Sequence, residues 1–271
     1  MRLIPVIIST LLLLGAPLGY ARSPQAADPH LPTNATRLMT GVRRHTSIVE
    51  IKTGRMDACR KLFAAVPEEV GALYHRVRIR NMTRYLKELG GKPYLITYFE
   101  YVGSDFAGDI ARIEAAEAMK NWRKSVEELL VSPQARVWED VEEVFYTEGA
   151  AGVLPVPEKY ARIGMITGLK PEKEAEYRTL HATTWPGVLK GIRDCNYRNF
   201  TIRLAEVDGN LFLIGYLEYV GRDPAADAAA GKALPVNKRW WKFTDACQKP
   251  LPAAEAKGEI WDGLEEIQHL D

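Results

Sequence analysis

The sequence predicts an α+β protein built from two copies of a βαββαβ unit, each giving a four-stranded antiparallel sheet with both helices on one face. The first observation behind this is a displaced repeat. Phe99-Glu100-Tyr101-Val102-Gly103 returns as Leu217-Glu218-Tyr219-Val220-Gly221, and Trp122-Arg123-Lys124 returns as Trp240-Trp241-Lys242, in both cases 118 positions on. A repeat of that length is a whole small domain, not one turn of a solenoid. Second, strand and helix periodicities follow in the same order in both halves. Third, each half carries a hairpin signal at the same place, Gly90-Gly91 and Asp208-Gly209-Asn210.

In the first half, Thr46–Ile51 is β-branched and alternating, and reads as a strand. Arg55–Leu73 places Cys59, Leu62, Phe63, Val66, Val70 and Leu73 at helical spacing, with Pro67 kinking or ending the helix. His75–Leu86 and Tyr94–Val102 are the hairpin strands, Asp109–Leu130 is a second amphipathic helix, and Val137–Tyr146 closes the unit. In the second half, Ala161–Thr167 is a strand. Pro171–Thr184 is a helix with proline in its first turn, ending at Trp185-Pro186. Tyr197–Leu204 and Leu211–Tyr219 form the hairpin, helices lie between Asp223 and Cys247, and Glu259–Ile267 closes the unit. A sheet face left bare by such small units must be covered, and the economical cover is the other copy, sheet against sheet.

Domain boundaries follow from composition. After Met1-Arg2 an apolar run from Leu3 to Leu18, interrupted by Pro5 and Pro17, is shorter than the about 20 residues a spanning helix needs. It ends in Gly19-Tyr20-Ala21, so residues 1–21 are expected to be a signal peptide cut after Ala21, with the mature protein exported and free of the membrane. Residues 22–44 are rich in Pro, Ser, Asn and Thr and read as a flexible arm. The two repeats are then 45–149 and 159–271, joined by a linker at 150–158 that holds Pro155 and Pro157.

The chain has 36 Lys and Arg against 35 Asp and Glu, and loss of Arg2 with the leader evens them. That balance argues against nucleic acid or an anionic membrane as partner. Three cysteines, Cys59, Cys195 and Cys247, allow at most one internal bridge, and none has metal-ligand spacing.

The chemistry-bearing residues gather in the second repeat. Tyr177, His181 and Trp185 are four apart and share a helix face, and Trp240-Trp241 follow on a later helix. Burial among aromatics lowers a histidine's pKa, which suits proton transfer near neutrality. Indole rings pack on the C–H faces of a sugar while phenol and imidazole supply directional hydrogen bonds. A Tyr-His-Trp stripe is also what a core-facing helix presents. Against that, two adjacent tryptophans point roughly 100° apart on a helix and are seldom both buried in one core.

Glu176-Tyr177-x-x-x-His181-x-x-x-Trp185-Pro186, then Asn199-Phe200-x-Ile202-x-Leu204, Leu211-Phe212, Arg239-Trp240-Trp241-Lys242 and Glu265-Glu266-Ile267 resemble the L-rhamnose mutarotase family, over almost the whole second repeat and in order. The resemblance implies two ferredoxin-like repeats packed as an internal dimeric α+β barrel, so that one chain forms a pseudo-dimer and is monomeric. It implies His181 as the general acid and Tyr177, Trp185, Phe200, Trp240 and Trp241 as sugar contacts. It implies a small monosaccharide substrate and no metal or cofactor. The family has a tyrosine where this chain has Phe200, so one sugar-facing hydroxyl is missing, which Tyr197 or a residue of the first repeat could replace. In the first repeat the counterparts of Tyr177, His181, Trp185 and Trp241 are Cys59, Phe63, Pro67 and Arg123, so that copy has lost the site.

Two further groups stand out. Arg76, Arg78, Arg80 and Arg84 alternate along a predicted strand of the first repeat, as either an anion-binding wall or a solvated edge. Glu218 is a candidate general base if it faces the cavity. The function expected is interconversion of α and β anomers of L-rhamnose or a related sugar. The alternative is an exported sugar-binding module without turnover. Other dimeric α+β barrels oxidise aromatics or bind haem, but the sequence offers no proximal ligand for that.

Overall fold

The computed structural model describes residues 41–132, 136–150, 157 and 160–271. The predicted leader, nearly all of the arm and most of the linker lie outside the described residues. The first stretch runs β1 (Arg43–Glu50), α1 (Met56–Ala64), α2 (Glu68–Arg76), β2 (Ile79–Leu89), β3 (Lys92–Tyr101), α3 (Phe106–Ala115) and α4 (Glu117–Glu127). The second runs β4 (Glu142–Gly149), β5 (Ala161–Leu169), α5 (Glu174–Ala182), α6 (Pro186–Asp194), β6 (Tyr197–Val207) and β7 (Asn210–Tyr219). It continues with α7 (Pro224–Ala233), α8 (Pro235–Cys247), β8 (Gln248–Lys249), α9 (Pro252–Glu255), β9 (Asp262–Gly263) and β10 (Glu265–Leu270). From α1 to α3 every element has a counterpart 118 residues on with the same length.

The architecture is mixed α+β with antiparallel sheets. One sheet has the order β1-β3-β2-β10, and the other β4-β6-β7-β5-β8 with β9 also on β5. Spatial units and sequence repeats therefore differ in one respect. The strand closing the first repeat, β4, pairs with β6, and the strand closing the second, β10, pairs with β2. The compact units accordingly join the described part of Ala35–Val141 to Leu264–Asp271, and hold Glu142–Gly263 as the other. A four-stranded sheet per repeat was expected from element order. Periodicity identifies a strand but not its partner, and an antiparallel edge accepts either closing strand.

Four departures from the predicted extents have a local reason. The helix expected over Arg55–Leu73 is two helices, because Pro67 caps α2 in an extended conformation. Its counterpart α6 was not anticipated. The preceding helix ends at Ala182, and Trp185, extended at ψ 135°, caps the next, with Pro186 at the first helical position where no N–H is needed. The helix expected over Asp109–Leu130 breaks at Ala116, which is also extended. Trp138 lies in a short 3-10 turn, Arg136–Trp138, ahead of β4.

A bulge shapes each central strand. Asn81 and Asn199 take φ 49°, a left-handed conformation that asparagine tolerates, and the pairing shifts between Arg80 and Thr83 and between Arg198 and Thr201. The extra residue resets which face each side chain meets. Tyr197 and Phe200, three apart, thereby reach the same cavity. The same device corrects the arginine series. Arg76 ends α2, Arg78 sits at φ 61° in the turn, and Arg80 is exposed against Glu100, leaving only Arg84 turned into the fold. Where β4 ends against β6, Gly149 sits at φ 58°, and a Cβ there would lie 2.1 Å from the Tyr197 carbonyl oxygen. Among the described residues no helix is long and apolar enough to cross a membrane.

Candidate active site

The Glu142–Gly263 unit encloses a cavity of about 100 Å³ between the helices and the sheet. On the same measure one water needs about 10–15 Å³, so the space suits a small ligand. Tyr177 and His181 enter from α5, one turn apart, and Trp240 and Trp241 from α8. Tyr197, Phe200 and Ile202 rise from β6, and Phe145 comes from the exchanged strand β4. Of the residues expected from sequence, Tyr177, His181, Phe200, Trp240 and Trp241 meet at this wall. Trp185 does not. It packs behind the wall, edge-on to Trp240 at 5.4 Å and to Phe243 at 5.8 Å.

His181 sits in an aromatic box. Its ring lies 4.1 Å from Tyr177, 5.4 Å from Phe145 and 5.5 Å from Trp240, the last two edge-on. Nδ1 is 3.0 Å from the Tyr177 carbonyl oxygen. A carbonyl only accepts, so Nδ1 carries the proton and Nε2 keeps its lone pair. Burial pushes the pKa from 6.5 down to about 4, against the smaller upward pull of that carbonyl. At neutral pH the imidazole is therefore an uncharged acceptor.

The remaining polar groups are few, as in most small-molecule sites. Burial holds the hydroxyls of Tyr177 and Tyr197 protonated. Asn237 donates from Nδ2 to the Gly231 carbonyl at 2.9 Å, and its Oδ1 is a buried acceptor with no partner among the described residues. One turn beyond Trp241, burial lifts the Asp245 carboxyl to about 7, although it is not on the wall.

Glu218 does not face the cavity. Its carboxylate accepts from Arg198 Nε at 2.6 Å, Asn199 Nδ2 at 3.0 Å and the Tyr216 hydroxyl at 3.1 Å. Neighbouring Leu217 lines the cavity, and successive residues of a strand point to opposite faces. The three cysteines are buried free thiols. Among the described residues no cluster of His, Cys, Asp and Glu is arranged to hold a metal.

Sequence reasoning missed Phe145 and Asn237. Phe145 is supplied by strand exchange, which no local pattern signals. Asn237 lies four and three positions before Trp241 and Trp240, so helical spacing from the tryptophan pair was the available cue.

Fold and cavity together define an α+β protein with an aromatic-walled cavity on the helix side of an antiparallel sheet. The chain belongs to the L-rhamnose mutarotase family, whose model matches residues 44–147 and again 162–270. A curated L-rhamnose mutarotase of Lactiplantibacillus plantarum is 26% identical over 110 residues, 41% of this chain and 98% of that one. A solved structure from Fusobacterium nucleatum, named as a candidate monooxygenase, shares the fold at TM-score 0.50 and 9% identity, covering 85% of this chain and 94% of its own.

Proposed function

We propose that the Glu142–Gly263 unit interconverts the anomers of L-rhamnose or a closely related deoxy sugar, with His181 as the proton-transferring group. The observation that carries this is the neutral imidazole, its tautomer set by the Tyr177 carbonyl, in a box of aromatic rings. Anomer exchange needs the O1 proton removed and the ring oxygen protonated as the C1–O5 bond breaks. Nε2 of His181 takes the O1 proton, and a phenol of Tyr177 or Tyr197 donates to O5. The aldehyde turns about C1–C2, the ring closes on the other face, and both protons return. His181 thus opens the ring as a base and closes it as an acid, a refinement of the general-acid role implied by the resemblance. The C6 methyl of a deoxy sugar suits the apolar wall, and a sugar hydroxyl can donate to Asn237 Oδ1.

Exchange NMR on L-rhamnose tests this. The protein should raise the exchange rate between anomer signals above the uncatalysed rate. A non-catalytic binder would broaden the signals and leave the rate unchanged. Because the neutral ring is the active form, catalysed kcat/KM should be level near neutrality and fall about tenfold per pH unit below about 4. A catalysed rate that rises toward pH 4 would make His181 the initiating acid instead. Phe200→Tyr, which places a hydroxyl on the wall, should raise the rate, and a fall would remove Phe200 from the sugar contacts.

The same proposal includes a two-repeat α+β barrel closed within one chain, supported by the exchanged closing strands. Sedimentation should then give the mass of one chain, and a stable dimer would refute it. It also includes export with cleavage after Ala21, which an intact Met1 on the mature protein would refute.

A further inference from the structure

The unit that contains Ala35–Val141 has its own cavity, of about 50 Å³, at the place equivalent to the sugar site. Nine of its fifteen lining positions recur in the wall of the other cavity 118 residues on. Phe63 stands for His181 and Trp122 for Trp240, but Arg84 stands for Ile202 and Tyr74 for Ile192. The proton-transferring ring has gone and a guanidinium has entered. Strand exchange keeps the correspondence, since Gln268 of β10 pairs opposite Arg84 as Phe145 of β4 pairs opposite Ile202.

Arg84 is 6% exposed. It donates to Gln268 Oε1 and, at 3.4 Å, to the Tyr74 hydroxyl, and its guanidinium carbon lies 4.8 Å from the centre of the Phe63 ring. All of these partners are uncharged, and no carboxylate among the described residues pairs with it. The cavity's two carboxylates are committed elsewhere. Glu127 accepts from Arg123 at 2.8 Å, and Glu114 accepts from Arg123 and from Trp138 Nε1 at 2.6 Å. A buried guanidinium offers five donors in a planar fork, and protein interiors keep such a charge by pairing it. We propose that this cavity is a second ligand site, which takes a small organic carboxylate on the Arg84 guanidinium.

Three features favour a carboxylate over other ligands. The fork matches two carboxylate oxygens. A dianion such as phosphate would bring its second charge into a cavity that already holds Glu114 and Glu127. The aromatic wall of Phe63 and Trp122 accepts a short carbon skeleton. Burial also depresses the proton affinity of Arg84, which a bound carboxylate would restore.

The test is a titration of the full chain with acetate and with lactate, against chloride and phosphate at equal ionic strength. It follows the indole N–H signals of Trp122 and Trp138 by NMR. A saturable shift with acetate or lactate is expected. Arg84→Ile, which copies Ile202, should weaken it at least tenfold, and Arg84→Lys should weaken it because a lysine has no fork. His181→Phe should leave it unchanged, so failure of the sugar site and failure of this site are distinguishable. Absence of a saturable shift, equal binding in Arg84→Ile, or tighter binding of phosphate than of carboxylate would overturn the proposal. If Arg84→Ile fails to fold, Arg84→Lys decides the outcome alone.

Discussion

Replacement of His181 by phenylalanine is expected to lower catalysed anomer exchange by about 10²–10⁴-fold, the usual cost of losing one general acid–base group, while the fold persists. The scaffold already shows the substitute in place. Phe63, at the equivalent position, packs edge-on to Trp122 at 5.7 Å and 79°, much as His181 meets Trp240 at 5.5 Å and 72°. His181→Ala should lose the same activity and some packing as well. His45→Ala and His75→Ala, which change side chains outside the cavity wall, should not approach that loss. Catalysis unchanged in His181→Phe would remove the histidine from the mechanism.

The same variant has a signature in stability. In the unfolded chain His181 takes a proton below its ordinary 6.5, while the folded protein refuses it until about 4. Between those values the unfolded state binds more protons, so stability falls as pH drops through the window and is level below it. The loss is up to about 3 kcal/mol. His181→Phe should lose less stability than the parent between pH 6.5 and 4, measured by urea unfolding. Equal losses would mean that the ring is not held neutral by burial.

Glu218→Ala should destabilise the protein by about 3–5 kcal/mol, the cost of removing one partner from a buried ion pair. The side chain is fully buried, and its loss removes the carboxylate that accepts from the Arg198 guanidinium, the Asn199 amide and the Tyr216 hydroxyl. The Asn199 amide belongs to the residue at the β6 bulge, so the network also holds the turn of strand that aims Phe200 at the cavity. Glu218→Gln retains an acceptor and should cost less. Catalysis per folded molecule should survive the glutamine variant, since the carboxylate is not on the cavity wall. A change below about 1 kcal/mol in the alanine variant would show that the network contributes little.

Much of the site was legible because its residues are local. Tyr177 and His181 are one helical turn apart, so spacing alone puts them on a shared helix face, and the adjacent tryptophans, about 100° apart, are presented together by one turn of α8. Trp185 shows where that logic stops. It obeys the same spacing, yet α5 ends at Ala182 and Thr183 leaves the helical conformation, so Trp185 lies beyond the helix and packs behind Trp240. The arginine series shows the same limit. Alternation holds only in an unbroken strand, and the turn at Arg78 with the bulge at Asn81 leaves Arg84 alone inside.

By itself the sequence determined the class of fold, the order of most elements, the 118-residue correspondence and the five aromatic and imidazole groups that meet at the cavity. These rest on periodicity and side-chain chemistry, which are written locally. Only the tertiary structure decided that β4 and β10 exchange sheets, that Phe145 reaches the cavity, that Glu218 turns away from it, and that Arg84 lies buried with uncharged partners. Each depends on which edge a strand joins or which face a bulge presents. Hydrogen bonds between strands are the same for every sequence, so packing across the whole chain selects among them.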